Sequence, residues 1–182
     1  MFINSPNAVN SMPKEYRKTA EALFPPDSPK TPSLDAVKSY AQCLEIETDF
    51  NRLLDSQVLF MQFFAHFKTN LSLLIAKTWV EKSDEARKEI LQGRLPAFYA
   101  KIEQGDYRGA LYDFSAILEE LAYLFFGEQS KREDFTEYAF RIDTKMGLFW
   151  WYGSRLSFLA PDANNDILRA ILILGISYLA GF

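Results

Sequence analysis

A chain of 182 residues with 48% hydrophobic and 24% charged side chains can bury a core of its own, so it needs neither a disulfide nor a metal staple to fold. Its net charge of −4, with lysines and arginines dispersed along the chain, argues against electrostatic capture of nucleic acid or anionic lipid. One cysteine, Cys43, cannot form an internal disulfide. One histidine, His66, cannot build the histidine-rich metal clusters or paired Glu-x-x-His di-iron motifs of helical enzymes.

Aromatic residues make up 15% of the chain, more than an ordinary core requires. They predict either dense ring packing or a surface built to meet another molecule.

Met1 to Met12 carry no basic residue and no apolar run, so they do not read as a signal peptide, and a cytoplasmic location is the default expectation. Pro6, Pro13, Pro25, Pro26, Pro29 and Pro32 crowd the first 32 residues. Proline fixes φ and removes a donor, so residues 1–32 read as a proline-rich arm, draped over the body or partly disordered. One short helix fits inside it, capped by Ser11 and running from Lys14 to Phe24. Residues 33–182 then read as a single α-helical domain.

Thr31 or Ser33 can cap a helix with Pro32 at its start and Leu34, Val37, Ala41 and Leu44 on one face. The apolar periodicity continues through Phe50, Leu53, Phe60, Phe64, Phe67, Leu71, Leu74 and Trp79. One helix of that length would be unusual in a globular domain, so a break is predicted near Asp55-Ser56 and a second near Thr69-Asn70.

Ser83-Asp84-Glu85 opens a short helix ending near Gly93, and Pro96 starts another that runs to Gln104-Gly105. Asp106 caps an amphipathic helix with Tyr107, Ala110, Leu111, Phe114, Ile117, Leu118, Leu121 and Phe125 on one stripe, stopped by Gly127. Gly105 to Leu111, with Phe114 and Ile117, resembles the second helix of a tetratricopeptide repeat, matching at Tyr107, the small Ala110 and the aromatic Phe114. The resemblance covers about 20 residues; the preceding helix departs from the pattern at Arg94, Ala97, Phe98 and Lys101, and no tandem copy follows at a fixed period. A generic helical hairpin explains the same residues.

A further helix begins around Lys131. Phe135, Tyr138, Ile142, Met146, Phe149 and Trp150 line one side, with Glu133, Glu137, Arg141 and Lys145 at spacing four on another. After Gly147 the polar face gives way to Leu148, Trp151, Tyr152 and Leu159. Pro161 and Asp162 turn the chain into a last helix, Asn165 to Ala180, expected to pack antiparallel to the one before it. Arg169 interrupts this apolar segment, which falls short of the roughly 20 residues a membrane span requires. It reads as the central helix of the fold. The fold class is therefore all-α: a compact bundle of six or seven helices with a proline-rich N-terminal arm.

Phe149, Trp150, Trp151 and Tyr152 set four bulky rings around one helix, flanked by Gly147 and Gly153, and are the leading candidate for a functional surface. Arg155, Trp79 and His66 complete the candidate partner or ligand surface. His66 forms a polar strip with Gln62 and Asn70, which a solvent-facing helix side explains equally. Cys43 has no activating neighbour in sequence and is expected to be buried and inert. Glu45, Glu47 and Asp49 could hold a hard cation, although acids at this density ordinarily solvate a surface, as do Glu119-Glu120 and Glu133-Asp134. The chain contains no glycine-rich phosphate loop, nucleophile elbow or calcium loop, and no catalytic, metal or cofactor residue set is assigned.

The expected function is a non-enzymatic interaction domain, such as an adaptor, a chaperone-like protein or a regulatory subunit. It would dock a partner helix, or a second copy of itself, through aromatic helix faces, with no nucleic-acid partner, no cofactor and no stable membrane insertion. The alternative is a helical small-molecule-binding domain walled by Phe60, Phe64, Trp79, Trp150 and Trp151, with His66 or Arg155 as its polar group. Catalysis would require Glu119 and a second acid to converge in a cleft.

Overall fold

Helix signals dominate the sequence, and among the residues it describes the computed structural model of the chain is helical wherever those signals are strong. It describes residues 14–23, 31–81, 85–131 and 161–181, together with Phe135, Tyr138, Ala139, Gly147, Trp150, Gly153 and Leu156. Among these residues the fold is all-α. Seven α-helices are present: α1 (Lys14–Leu23), α2 (Leu34–Cys43), α3 (Glu47–Asp55), α4 (Gln57–Glu81), α5 (Glu85–Glu103), α6 (Tyr107–Phe126) and α7 (Asn165–Ala180). A 3-10 turn, Gly127–Lys131, follows α6. The expected pairing of a helix over 135–158 with α7 lies mostly outside the described residues. None of the described helices is long and apolar enough to cross a membrane.

Side-chain caps start the helices where an orphan amide needs an acceptor. The Ser33 hydroxyl accepts from the Ala36 amide at 3.1 Å, Asp106 accepts from Gly109 at 3.0 Å, and Asn164 accepts from Ile167 at 3.0 Å. The short helix in the proline-rich arm is α1, which packs on α2 and sinks Leu23 fully into the core.

The break near Asp55-Ser56 is present. Ser56 is extended, and its hydroxyl accepts from the Leu59 amide at 3.2 Å while its carbonyl accepts from Phe60 at 2.9 Å, so it caps α4. The break expected at Thr69-Asn70 is absent, and α4 runs unbroken for 25 residues. Phe60, Phe64, Phe67, Leu71 and Ile75 are all buried along one stripe, while Thr69 and Asn70 face solvent and impose no stop.

α5 likewise corrects the sequence reading, because it passes through Pro96 without stopping. The proline removes the donor to the Gln92 carbonyl, but Gln92 and Pro96 are both exposed, so water can serve that oxygen. The opposite stripe of Leu91, Leu95, Phe98 and Ile102 is buried and holds the helix together.

One break was not anticipated. α2 ends at Leu44, where Glu45 adopts φ of 61°. The Ile46 amide donates to the Ala41 carbonyl and the Glu45 amide to that of Gln42, both at 3.0 Å, which is a Schellman motif. α5 ends the same way: Asp106 donates to Lys101 at 2.8 Å and Gly105 to Ile102 at 3.1 Å. There the left-handed position, at φ of 75°, belongs to Gly105. The two turns differ in that one uses glycine and the other forces a side chain into a conformation that costs about 1–2 kcal/mol.

α7 is the central helix, touching α2, α3, α4 and α6, and nearly every residue from Leu168 to Leu179 is buried. Its one basic residue, Arg169, points at the α3–α4 break. The guanidinium donates to the carbonyls of Leu53 and Leu54, both at 3.0 Å, in the last turn of α3. Its Nε donates to the Gln57 amide oxygen at 2.9 Å, and Gln57 in turn donates to the Tyr107 hydroxyl on α6 at 3.3 Å. The same guanidinium lies 5.2 Å from the Phe60 ring centroid. A helix end leaves its last four carbonyls without intrahelical donors, and Arg169 supplies donors to two of them.

Three outcomes follow from these contacts and turns. Arg169→Met is expected to lower stability by about 2–3 kcal/mol in urea denaturation, because it strips charged donors from partly buried carbonyls. Glu45→Gly is expected to raise stability by about 1 kcal/mol, and Gly105→Ala to lower it by a similar amount, in the same measurement.

Candidate functional site

Where the aromatic rings lie determines which surfaces remain for a partner. Phe64 of α4 is the hub of one cluster, with centroids 6.4 Å from both Phe60 and Phe67, 6.5 Å from Phe98 and 5.7 Å from Tyr99. Phe98 stacks on Phe114 of α6 at 5.4 Å. Burial pushes the Tyr99 phenol up from its ordinary pKa, with nearby Ser72 partly opposing the shift. The Ser72 hydroxyl gives its own proton to the Lys68 carbonyl, and among the described residues no group meets full hydrogen-bond geometry at the Tyr99 oxygen. A second cluster surrounds Phe126, with Phe135, Tyr138 and Trp150 edge-on at 5.1, 6.0 and 6.0 Å.

The sequence-derived surface residues fall as follows. Trp150 is only 6% exposed and lies against Phe126, inside the fold and not on a docking face. Phe149, Trp151, Tyr152, Arg155 and the Trp79 side chain lie outside the described residues. His66 is exposed on the outer side of α4. Phe60 and Phe64, expected as pocket walls, are sealed in the first ring cluster, and Trp150 belongs to the second. Gly153 does permit close approach: a Cβ there would meet Leu118 Cδ1 of α6 at 2.7 Å. Cys43 is half-buried instead of fully buried. Glu45, Glu47 and Asp49 are all exposed, and among the described residues no three His, Cys, Asp or Glu side chains are grouped to hold a metal ion.

A concave feature of the described surface runs along α6. Tyr107, Ala110, Leu111, Phe114, Ile117, Leu118 and Leu121 commit most of this helix to the core. That leaves a narrow outer strip of Arg108, Tyr112, Ser115 and Glu119 at helical spacing. This strip borders an open groove of about 530 Å3, floored by Leu111, Leu156 and Leu168 and also lined by Ala116 and by Arg94 of α5. Tyr112 is 74% exposed, the most exposed large hydrophobic residue among those described.

The groove's two guanidinium groups are held in place by the fold. Arg108 donates to the carbonyls of Pro161 and Ala163 at 2.9 and 2.8 Å, pinning the turn before α7. Asp113 is nearly buried and receives Lys101 at 2.7 Å on one oxygen and Arg94 at 3.7 Å on the other. Two cations on one carboxylate tie α5 to α6 and set the Arg94 side chain beside the groove.

Among the described residues the lining contains no imidazole or thiol, and Glu119 is its one carboxylate. The chemistry on offer is recognition: an apolar floor, a tyrosine and two guanidinium groups, the residue types enriched where proteins anchor partners. Sequence reading missed Tyr112 and Arg108, although an aromatic on the polar stripe of an amphipathic helix was a usable signal. Compared with family models, with curated proteins and with solved structures, the chain has no match in any of the three.

Asp113→Asn is expected to destabilise the α5–α6 pair by about 1–2 kcal/mol in urea denaturation. The figure is well below that of a fully buried ion pair because Lys101 and Arg94 are 33% and 42% exposed.

Proposed function

We propose that the chain is a non-enzymatic protein–protein interaction domain whose α6 groove receives an amphipathic helix from a partner protein. The observation that carries the reading is the groove with Tyr112 standing exposed beside a buried leucine floor. Burying a ring and a guanidinium against a partner is a common source of hot-spot affinity. Arg108 and Glu119 stand three turns apart on α6, roughly 16 Å, with uncharged residues between them along the groove. A complementary helix would carry an acid near Arg108, apolar residues over the leucines, and a base near Glu119. It would run antiparallel to α6, so that its negative C-terminal end meets Arg108. A cytoplasmic setting belongs to the same proposal and rests on the lone cysteine, which no internal disulfide can use.

A small molecule is the second reading, favoured by a volume within the range of ligand sites, about 300–1,000 Å3. The open shape of the groove speaks for the helix.

Selection from a displayed library of helical peptides tests the proposal. Binders are expected to show acid and base about eleven positions apart. Their affinity is expected to fall at least tenfold against Tyr112→Ala, as for an interface hot spot, and comparably against Arg94→Glu. Binders that ignore both substitutions, or a library that yields none, would count against it.

A further inference from the structure

The outer face of α4 is unlike the rest of the surface. Val58 and Leu73 are 67% and 64% exposed, two of the four large apolar residues that stand exposed among those described. Between them Gln62, Ala65, His66 and Thr69 are exposed too, on the side of the helix opposite the buried stripe of Phe60, Phe64, Phe67 and Leu71. No aspartate or glutamate falls in the segment from Gln57 to Ala76, in a chain where 24% of residues are charged. Its one formal charge, Lys68, is drawn aside toward α5. The Lys68 ammonium meets Glu103 at 3.0 Å and lies 5.4 and 5.8 Å from the Phe64 and Tyr99 ring centroids.

We propose that this face is a two-fold interface with a second copy of the chain, the two α4 helices lying antiparallel and crossing between Ala65 and His66. The argument is the order of the residues. A two-fold contact must be self-complementary, because each residue meets the surface it belongs to. In this register Val58 comes level with Leu73 of the other copy, Gln62 with Thr69, and Ala65 with His66. Apolar meets apolar, an amide meets a hydroxyl, and the smallest side chain makes room for the imidazole. The three pairs lie symmetrically about one line along the helix, so a single rigid docking satisfies all of them. Each copy carries a net charge of −4, and repulsion is least where the touching faces hold no charge. The contact spans about 22 Å along each helix. It is separate from the α6 groove and stands or falls without it.

Sedimentation velocity on the full chain, from about 1 to 200 μM, tests the proposal. A dimer with a dissociation constant in the micromolar range is expected, since one helix pair lies at the small end of specific interfaces. Leu73→Glu is expected to weaken it at least tenfold by placing a charge against Val58 of the other copy. The thermal midpoint of the Leu73→Glu monomer should stay unchanged, because Leu73 is exposed. Adding Val58→Lys to Leu73→Glu should restore association, since the new charges face each other only in this register. A wild-type chain that is monomeric throughout overturns the proposal. So does a dimer indifferent to Leu73→Glu, or a double variant that stays dissociated.

Discussion

A helix break can lie against the central helix of this fold because a guanidinium is held against it. The end of α3 leaves carbonyls that helix geometry cannot satisfy, and burying them without donors would cost several kcal/mol. Arg169 stands in the most apolar helix and donates to two of them, while Gln57 relays the contact to Tyr107. Three parts of the structure, α7, the α3–α4 junction and α6, meet at this one side chain. The direction in which α4 leaves the junction, and so the placement of Phe60 and the ring cluster behind it, depends on that contact.

Among the described residues, many of the aromatic side chains pack ring on ring in the core. Phe50, Phe60, Phe64, Phe67, Phe98 and Phe114 are all essentially without solvent contact. Edge-to-face and stacked pairs between helices favour particular relative orientations, which a purely aliphatic core would leave looser. Because these phenylalanine rings of α4, α5 and α6 point inward, the outward strips of α4 and α6, Tyr112 among them, carry the features open to a partner. Those strips differ in kind. The one on α6 is concave and charged at both ends, suited to a dissimilar helix, whereas the one on α4 is convex, uncharged and palindromic in character.

Helix existence was legible from periodicity almost everywhere, because the buried stripes of α4 and α6 repeat without interruption. Breaks were less legible. A break near Asp55-Ser56 was legible, but Glu45 sits in a left-handed turn where glycine is usual, so no local signal marked the end of α2. Pro96 gave the opposite error: a strong local breaker lost to a buried stripe on the far side of the helix. Arg169 read as a blemish in an apolar segment, because its meaning lies in carbonyls more than a hundred residues earlier in the chain. The Trp150 ring looked like surface for a related reason, since sequence shows that a helix is apolar on many sides but not which neighbours cover it. Tyr112 was overlooked because the eye follows the apolar stripe of α6 and not the residues opposite.

Native-state hydrogen exchange at the amides of Leu59 and Phe60 tests most directly whether the Arg169 contact holds the junction. These amides close the first turn of α4 on Ser56, next to the carbonyls that Arg169 serves. In an Arg169→Lys protein, a single ammonium cannot fork across two carbonyls and an amide as the planar guanidinium does. Protection at Leu59 and Phe60 should then fall about tenfold, while the amides of Leu118 and Leu172 keep theirs. Equal protection of Leu59 and Phe60 in the two proteins, or an even loss across all four amides, would contradict the account.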